Sequence, residues 1–288
     1  MLLTLVETGG VPIRRLPDLT PEQVVKLQNA LLANANTLLE SALAILDLGY
    51  VALARSIAIL GMEESGKAIA IHDRRVAMGY LPDGETFRCE SLDELWSSHQ
   101  KKLETVYGFL AEERYWFGEP ANPERNVAAL GTIRAWLRRD RIKQRGFYVE
   151  IDKVGEALAP DGVANEVALR ETIAQIHQIG WQLRLGEHVE GKQQDEKESG
   201  ASGLEDEALT WLDDIEEISD ASPFLADLKR SLKSGTPGEA LPNAAYRFNP
   251  PGVDRQPFRN LGKPGYEAET RELISLADEL DKDADPAE

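Results

Sequence analysis

The stretch TPEQVVKLQNALLANANTLLESALAILDLG, residues 20–49, decides the fold class. Thr20 is followed by a proline at the first helical position and a glutamine at the third, which is the residue pattern of a capped helix start. Apolar residues then recur every three or four positions from Val24 to Leu46, the period of an amphipathic helix. Gly49 ends the pattern. These features predict one long helix over residues 20–48.

The same period continues through most of the first 190 residues. A second capping pattern, Ser91 to Glu94, and the Asn-Pro-Glu that begins at Asn122 mark further helix starts. Residues 147–151 alternate as an extended segment that is too short to form a sheet of its own. We therefore predict an all-α bundle of about five helices, with further helices over 50–78, 91–117, 122–143 and 163–190.

The last third of the chain has a different composition. Residues 191–288 contain 11 basic and 23 acidic side chains, whereas residues 1–190 contain 21 and 27. We predict a helical domain over 1–190, a linker over 191–203 and an acidic C-terminal extension over 204–288. This extension is expected to hold a helical piece, a proline-rich strip with aromatic residues and a short last helix. We expect it to dock on the domain through Trp211, Phe224, Tyr246, Phe248 and Phe258, and to regulate it.

Composition excludes several classes of protein. The chain has 288 residues, one cysteine, four histidines and a net charge of −18. One cysteine rules out an internal disulfide and cysteine-rich zinc sites, and the histidines lack metal-ligand spacing, so we predict no metal and no cofactor. No window approaches the ~20 apolar residues of a membrane span, and the first residues lack the features of a signal peptide. We expect a cytoplasmic protein without membrane contact.

Arg170 and His177 are the candidate catalytic pair. They are seven residues apart in a predicted helix, so both lie on one face about 10 Å apart. The spacing alone fits equally well with a surface arginine and a packed histidine.

A second motif lies in the second predicted helix. Its charged residues, Glu63, Glu64 and Lys67, occur on an otherwise apolar helix, where they form either a solvated face or a partly buried set that needs partners. We predict that they are more structural than catalytic, with Arg55 or His99 as partners.

These motifs carry a resemblance to a known family. Ala54, Ser56, Glu63, Glu64, Gly66 and Lys67, then His99 to Lys102, then Gly146 to Glu150 with Tyr148, resemble in order the motifs of the AbiV abortive-infection family over about residues 22–185. The resemblance implies a HEPN-like helical bundle, an anti-phage function and a homodimer. It also assigns the Arg170–His177 pair to a HEPN-type ribonuclease motif, although Glu171 stands where that motif usually has Asn, Asp or His. The chemistry this motif implies needs no metal, with His177 as general base or acid and Arg170 as stabiliser of the negative phosphorane.

Two functions follow from the resemblance. One is a metal-independent endoribonuclease toxin acting on RNA or translation. The alternative is a non-catalytic helical protein that traps a phage or host protein. A local RNA track would suit the first function, because the chain as a whole is acidic and affinity for RNA depends on neutralising phosphates. The candidate RNA contacts are Arg138, Arg139, Arg141, Lys143, Arg145 and Arg184. A helix C-terminal charge preference explains most of this basic cluster equally well.

Overall fold

The protein is all-α, as predicted. The computed structural model describes residues 16–117, 123–138, 143–160, 165–200, 202, 203, 205, 222–250 and 257–284. Within these ranges the helices are α1 (Pro21–Asp47), α2 (Val51–Tyr80), α3 (Glu90–Ser97), α4 (His99–Phe117), α5 (Pro123–Leu137), α6 (Glu166–Ser199), α7 (Ser222–Ser234) and α8 (Glu267–Ala284). A minimal antiparallel hairpin, β1 (Glu150–Ile151) and β2 (Ala157–Leu158), pairs Glu150 with Leu158.

Helix α1 begins as the sequence predicts. The Thr20 hydroxyl accepts a hydrogen bond from the Gln23 amide, and the Gln23 side chain accepts one from the Thr20 amide. This reciprocal box satisfies two amides that the helix itself leaves unpaired. Gly49 ends the helix with φ +84. One face of α1 is buried, and it consists of Val24, Gln28, Leu31, Leu32, Ala35, Leu39, Ala42 and Leu46.

Helix α2 is the most enclosed helix of the described part. Its buried apolar residues lie around most of the circumference and include Ala54, Ala58, Ile59, Met62, Ala68, Ile69, Ile71 and Met78. Ser56 and Ser65, also buried, donate their hydroxyls to the carbonyls four residues earlier. Because α2 is surrounded, its charged side chains must find partners inside the protein.

The predicted third helix is two helices, since Ser98 interrupts it. Ser98 has extended backbone angles, φ −105 and ψ 116, and its hydroxyl accepts a hydrogen bond from the Lys101 amide at 3.2 Å. A serine side chain that bonds the backbone in this way favours a new helix start over continuation. The break places His99 and Lys102 in the first turn of α4.

The predicted capping box at Ser91 is wrong. Helix α3 starts at Glu90 after Cys89, without a side-chain cap. The box would need Glu94 to bond back to the Ser91 amide, but the Glu94 carboxylate pairs with Lys101 of α4 instead. The neighbouring Asp93 accepts a hydrogen bond from the Leu16 amide at 2.8 Å and pairs with Arg88.

Two helix ends also differ from the predictions. Helix α5 ends at Leu137 rather than near residue 143, and α6 continues to Ser199. The predicted linker is thus helical as far as Ser199. The contacts of the buried Gln194 explain this extension of α6. Its side-chain oxygen accepts a hydrogen bond from the Phe248 backbone amide at 3.0 Å, so the charged end of α6 packs against the segment that contains Phe248.

The contacts divide the chain into two compact units. The first contains residues 1–75, 86–185 and 254–288, and the second contains residues 76–85 and 186–253. In the second unit Tyr246 and Phe248 are buried, and Arg247 pairs with Asp195 at 2.5 Å and with Glu198. Trp211 and the side chains of Phe224 and Phe258 lie outside the described residues. The boundaries predicted at 190 and 204 stay predictions.

Two motif glycines permit close helix approach. A Cβ on Gly66 would lie 2.2 Å from the Lys102 carbonyl oxygen, and a Cβ on Gly146 would lie 1.9 Å from the Ser56 hydroxyl. Both distances are far below a real contact. The backbones of α4 and of residues 144–146 therefore rest directly on α2.

We expect Gly66→Ala to lower the free energy of unfolding by about 1–3 kcal/mol, because α4 must move outward to admit the methyl group. Urea denaturation measures the change. Gly108→Ala is the matched control, since that helical glycine has open space around its Cβ position and alanine favours a helix by about 1 kcal/mol. Equal losses in both variants would contradict the close-approach explanation.

Candidate functional site

Glu63 is the centre of a partly buried charge cluster. Its Oε1 lies 2.7 Å from His99 Nδ1 and 2.6 Å from Lys143 Nζ, while its Oε2 lies 4.0 Å from Lys102 Nζ. Glu63 itself is only 8% exposed. One carboxylate therefore joins α2 to the first turn of α4 and to the residues after α5. The predicted contact between Glu63 and His99 is present.

Glu64 and Lys67 form a second pair at the edge of this cluster. Lys67 Nζ lies 2.5 Å from Glu64 Oε1 and 5.3 Å from the centre of the Trp96 ring. The ion pair within α2 is therefore Glu64–Lys67, three residues apart.

The cluster gathers three motifs that are far apart in the sequence. The segment after α5 contributes Lys143 and the tightly packed Gly146, whereas Tyr148 is 66% exposed and contacts only the Phe147 ring among the described aromatic side chains. Arg145, two residues from Lys143, pairs with Glu150 at 3.3 Å. Tyr148 thus lies on the surface, and Lys143 is the residue of this segment that reaches the cluster.

Burial and hydrogen bonding act in opposite directions on Glu63. Burial tends to raise the pKa of its carboxyl, but the hydrogen bonds from His99 and Lys143 outweigh burial and hold the pKa below 4.5. The charged form is therefore favoured in the folded protein. A lowered pKa stabilises the fold above pH 4.5, and the contribution is lost as pH falls through the folded value.

We expect Glu63→Gln to lower the free energy of unfolding by about 3 kcal/mol at pH 7, because it leaves partly buried cations without a charge partner. The difference from the unmodified protein should shrink below pH 4.5. Urea denaturation across pH 3–7 measures both. Glu94→Gln is the control, since Glu94 forms a more exposed pair with Lys101 and should cost less than about 1 kcal/mol. A pH-independent difference would refute this role.

Arg170 lies on the surface at the start of α6. Its Nη2 is 2.7 Å from Asp47 Oδ1 and 3.4 Å from Glu166 Oε1, and these hydrogen bonds raise the pKa of Arg170 above its ordinary value. Both carboxylates are more than half exposed. Exposed pairs of this kind are weak, so the guanidinium can exchange them for another anion at little cost.

His177 lies two turns further along α6, beside a small cavity. The cavity has a volume of about 20 Å³, room for about one water molecule. Its lining includes Asn36 of α1, Ser65 of α2 and Ala268 of α8, and Arg170 is not among the lining residues. His177 Nε2 is fully buried, with no hydrogen-bond partner among the described residues.

Helix α8 covers this histidine. Arg271 donates to Asn36 at 2.8 Å and to Glu40 at 2.7 Å, and Ala268 packs so closely that a Cβ on Gly180 would lie 3.0 Å from it. Burial first, and then the positive charge of Arg271, lower the pKa of His177 to about 4. The ring is therefore neutral at pH 7.

The segment before α8 is held by Arg184. Its Nη2 donates to Asn29 at 2.6 Å and to the Gly265 carbonyl at 2.8 Å, and its guanidinium lies 3.9 Å from the Tyr266 ring centre. Arg184 is 8% exposed. The predicted contact of Arg184 with RNA does not fit this conformation, because the buried side chain already binds residues 265 and 266.

The other candidate RNA contacts also differ in whether they are paired or exposed. Lys143 is paired with Glu63 and Arg145 with Glu150, while Arg138 is exposed at the end of α5. Arg139 and Arg141 lie outside the described residues. Within those residues, no group of three or more potential metal ligands is close enough to hold an ion, and no helix has the length and apolar character required to cross a bilayer.

Comparison with protein families decides the identity of the domain. A family model described as HEPN_AbiV, AbiV, matches residues 23–181. The chain belongs to the AbiV family. The match covers α1 to α5 and the first half of α6, so the Glu63 cluster, Arg170 and His177 all lie inside the AbiV domain. No curated protein and no solved structure matches the chain. The family associates the chain with abortive-infection defence and a HEPN-like fold.

Sequence reasoning missed two parts of this site. Lys143 was identified as a basic residue but not as a partner of Glu63, which lies 80 positions away in the sequence. The sequence predicts that the acidic extension docks on the domain. It does not predict that α8 packs over His177 or that Arg271 lies beside this histidine. The amphipathic pattern of residues 267–280 indicates a helix with one apolar face. It does not indicate which other helix packs against that face.

We expect nuclear magnetic resonance titration of the histidine rings to give a His177 pKa near 4 in the full chain. Arg271→Gln should raise this pKa toward 6.5, because it removes a nearby positive charge and loosens the cover. Arg145→Gln, a change of the same charge elsewhere, should not. The neutral ring stabilises the fold above pH 6.5, and this stabilisation is lost as pH falls toward 4. A His177 pKa near 6.5 in the unmodified chain would contradict the buried arrangement.

Proposed function

We propose that this AbiV protein is a metal-independent endoribonuclease of anti-phage defence, with His177 as acid–base catalyst and Arg170 as phosphate ligand. The observation that carries the proposal concerns Nε2 of His177, which has no hydrogen-bond partner among the described residues. It lies on the same face of α6 as Arg170, whose exposed ion pairs can be replaced by another anion. A buried ring nitrogen without a partner is costly for stability alone, and an unused proton acceptor is what acid–base catalysis needs.

The proposed reaction is a transesterification. His177 accepts the proton of a ribose 2′-hydroxyl, and the 2′-oxygen bonds to the adjacent phosphorus. The bond from phosphorus to the 5′-oxygen breaks, and that oxygen takes the proton that His177 accepted. The products are a 2′,3′-cyclic phosphate and a free 5′-hydroxyl. Arg170 stabilises the negative charge that develops on the phosphorane.

The closed arrangement is a latent state in this proposal. A cavity for one water cannot admit a nucleotide, and a histidine with a pKa near 4 is a weak base at pH 7. Departure of α8 removes both obstacles, because it opens the cavity and lets the pKa return toward 6.5, where acid–base catalysis is efficient. The extension would thus restrain the active centre through α8.

The proposal includes a homodimer. Arg170 and His177 are about 10 Å apart along α6, which is too far for one pair to hold a single phosphate. Two copies related by a two-fold axis would bring the arginine of one to the histidine of the other. Light scattering at micromolar concentration, on the form of the protein from which α8 has departed, measures the oligomeric state. A strict monomer would contradict the proposed homodimer.

We expect Arg271→Glu to convert the full chain into an active ribonuclease, because the new carboxylate is repelled by Glu40 and loses the bond to Asn36. Lys263→Glu changes the same charge at an exposed site outside the cavity and is the matched control. Sequencing of RNA ends after induced expression measures cleavage. Addition of His177→Ala or Arg170→Ala should reduce cleavage at least a hundredfold, the usual contribution of a general acid–base.

The outcomes separate the parts of the proposal. If neither the unmodified nor the Arg271→Glu chain cleaves RNA, the ribonuclease is refuted. If both cleave equally, catalysis stands and the latch is refuted. If cleavage survives in the double variant of Arg170 and His177, the assigned residues are wrong.

An exposed apolar surface favours a second candidate, a non-catalytic protein that captures a phage or host protein. Tyr148, Val149, Ile151 and Val154, on or beside the β1–β2 hairpin, are 62–82% exposed, and clustered exposed apolar side chains mark binding surfaces. Defence that persists in the Arg170/His177 double variant but fails in Ile151→Asp/Val154→Asp would establish this function instead.

A further inference from the structure

We propose that the Glu63 cluster is a phosphate-binding site, centred on Lys102 and completed by Lys143 and Lys67. The ligand is the phosphate group of a nucleotide or of RNA. This site is separate from the centre assigned to RNA cleavage, and its test does not require cleavage.

A purely structural role of the cluster does not explain why Lys102 is buried without a close partner. It is 9% exposed, yet the nearest carboxylate oxygen, Glu63 Oε2, is 4.0 Å from its Nζ. Among the described residues no acceptor lies within hydrogen-bond distance of this ammonium group. His99 and Lys143 share the other oxygen of Glu63 at 2.7 and 2.6 Å, so the strong hydrogen bonds of the cluster bypass Lys102.

The charges of the cluster leave a positive excess. Lys67, Lys102 and Lys143 face the two carboxylates of Glu63 and Glu64, with His99 as a fourth cation when protonated. Burial lowers the pKa of Lys102, and the nearby Lys67 and Lys143 lower it further, while Glu63 and Glu64 act against this. In a chain of net charge −18, a partly buried positive excess is an exception that a bound anion would offset.

Phosphate suits this geometry. Its oxygens accept several charge-assisted hydrogen bonds at once, and lysines bind it as point charges. Oε1 of Glu63 already accepts hydrogen bonds from His99 and Lys143, and these offset part of the negative charge of Glu63 before an anion arrives. Glu64 is likewise held by Lys67.

The cluster and His177 occupy opposite sides of α2. Glu63 and Lys67 are four residues apart and share one face, whereas Ser65, which lines the His177 cavity, is two residues from each and about 200° around the helix. One phosphate therefore cannot touch both sites in one molecule. The motif in α2 and the histidine of α6 serve different tasks.

Thermal unfolding of the full chain in phosphate, against chloride at equal ionic strength, tests the proposal. We expect phosphate to raise the melting temperature of the unmodified protein, since a ligand that binds only the folded state stabilises it. Lys102→Met should lose this gain. Lys101→Met, the exposed neighbour paired with Glu94, should retain it.

A second readout separates binding from structure. In phosphate-free buffer Lys102→Met should be at least as stable as the unmodified chain, because it removes a poorly paired buried charge. A purely structural Lys102 would instead lose the same stability with and without phosphate. That result, or an equal phosphate gain in Lys101→Met and Lys102→Met, would overturn the site. If Lys102→Met does not fold, Lys143→Met is used, with the same expected loss of phosphate stabilisation.

The source of the phosphate is decided by direct titration. Calorimetry with inorganic phosphate, a nucleoside monophosphate and a short RNA ranks the three probes. Affinity for the preferred probe should fall about tenfold or more in Lys102→Met, the equivalent of one charge-assisted hydrogen bond. Tighter binding of RNA identifies a phosphodiester of RNA as the ligand, and tighter binding of the monophosphate identifies a nucleotide. No binding of any probe would refute the proposal.

Discussion

The carboxylate of Glu63 is the interaction on which the arrangement of the AbiV domain depends. It belongs to α2, accepts hydrogen bonds from His99 and Lys143, and so joins two separate segments to that helix. A buried charge is tolerated only with good partners, so α4 and the residues after α5 cannot drift without leaving it unpaired. Gly66 and Gly146 let those segments approach closely enough for the bonds to form.

The two faces of α2 carry different chemistry for a geometrical reason. Residues two apart on a helix point in nearly opposite directions, so Glu63 and Lys67 face α4 while Ser65 faces the cavity of His177. The enclosed position of α2 forces both faces inward. The proposed active centre on one side and the charge cluster on the other can therefore share one helix without sharing a ligand.

The C-terminal helix changes the properties of the histidine it covers. Ala268 lines the cavity beside His177, Arg271 bonds to Asn36 of the same lining, and burial with this nearby charge lowers the pKa of His177. In the proposed mechanism, departure of α8 would remove both effects together. One contact thus links access to the site with the proton affinity of the catalyst proposed for it.

The sequence by itself determined the all-α class, the start of α1 and the motifs at Glu63, His99 and Arg170, because caps, helical period and residue type are local. Only the tertiary structure decided that Lys143 joins Glu63, that Asp93 binds the Leu16 amide, and that α8 lies over His177. Those outcomes depend on which segments meet. Periodicity shows that a helix has a face to bury, but the partner is chosen by the fit of side chains and charges across the folded chain.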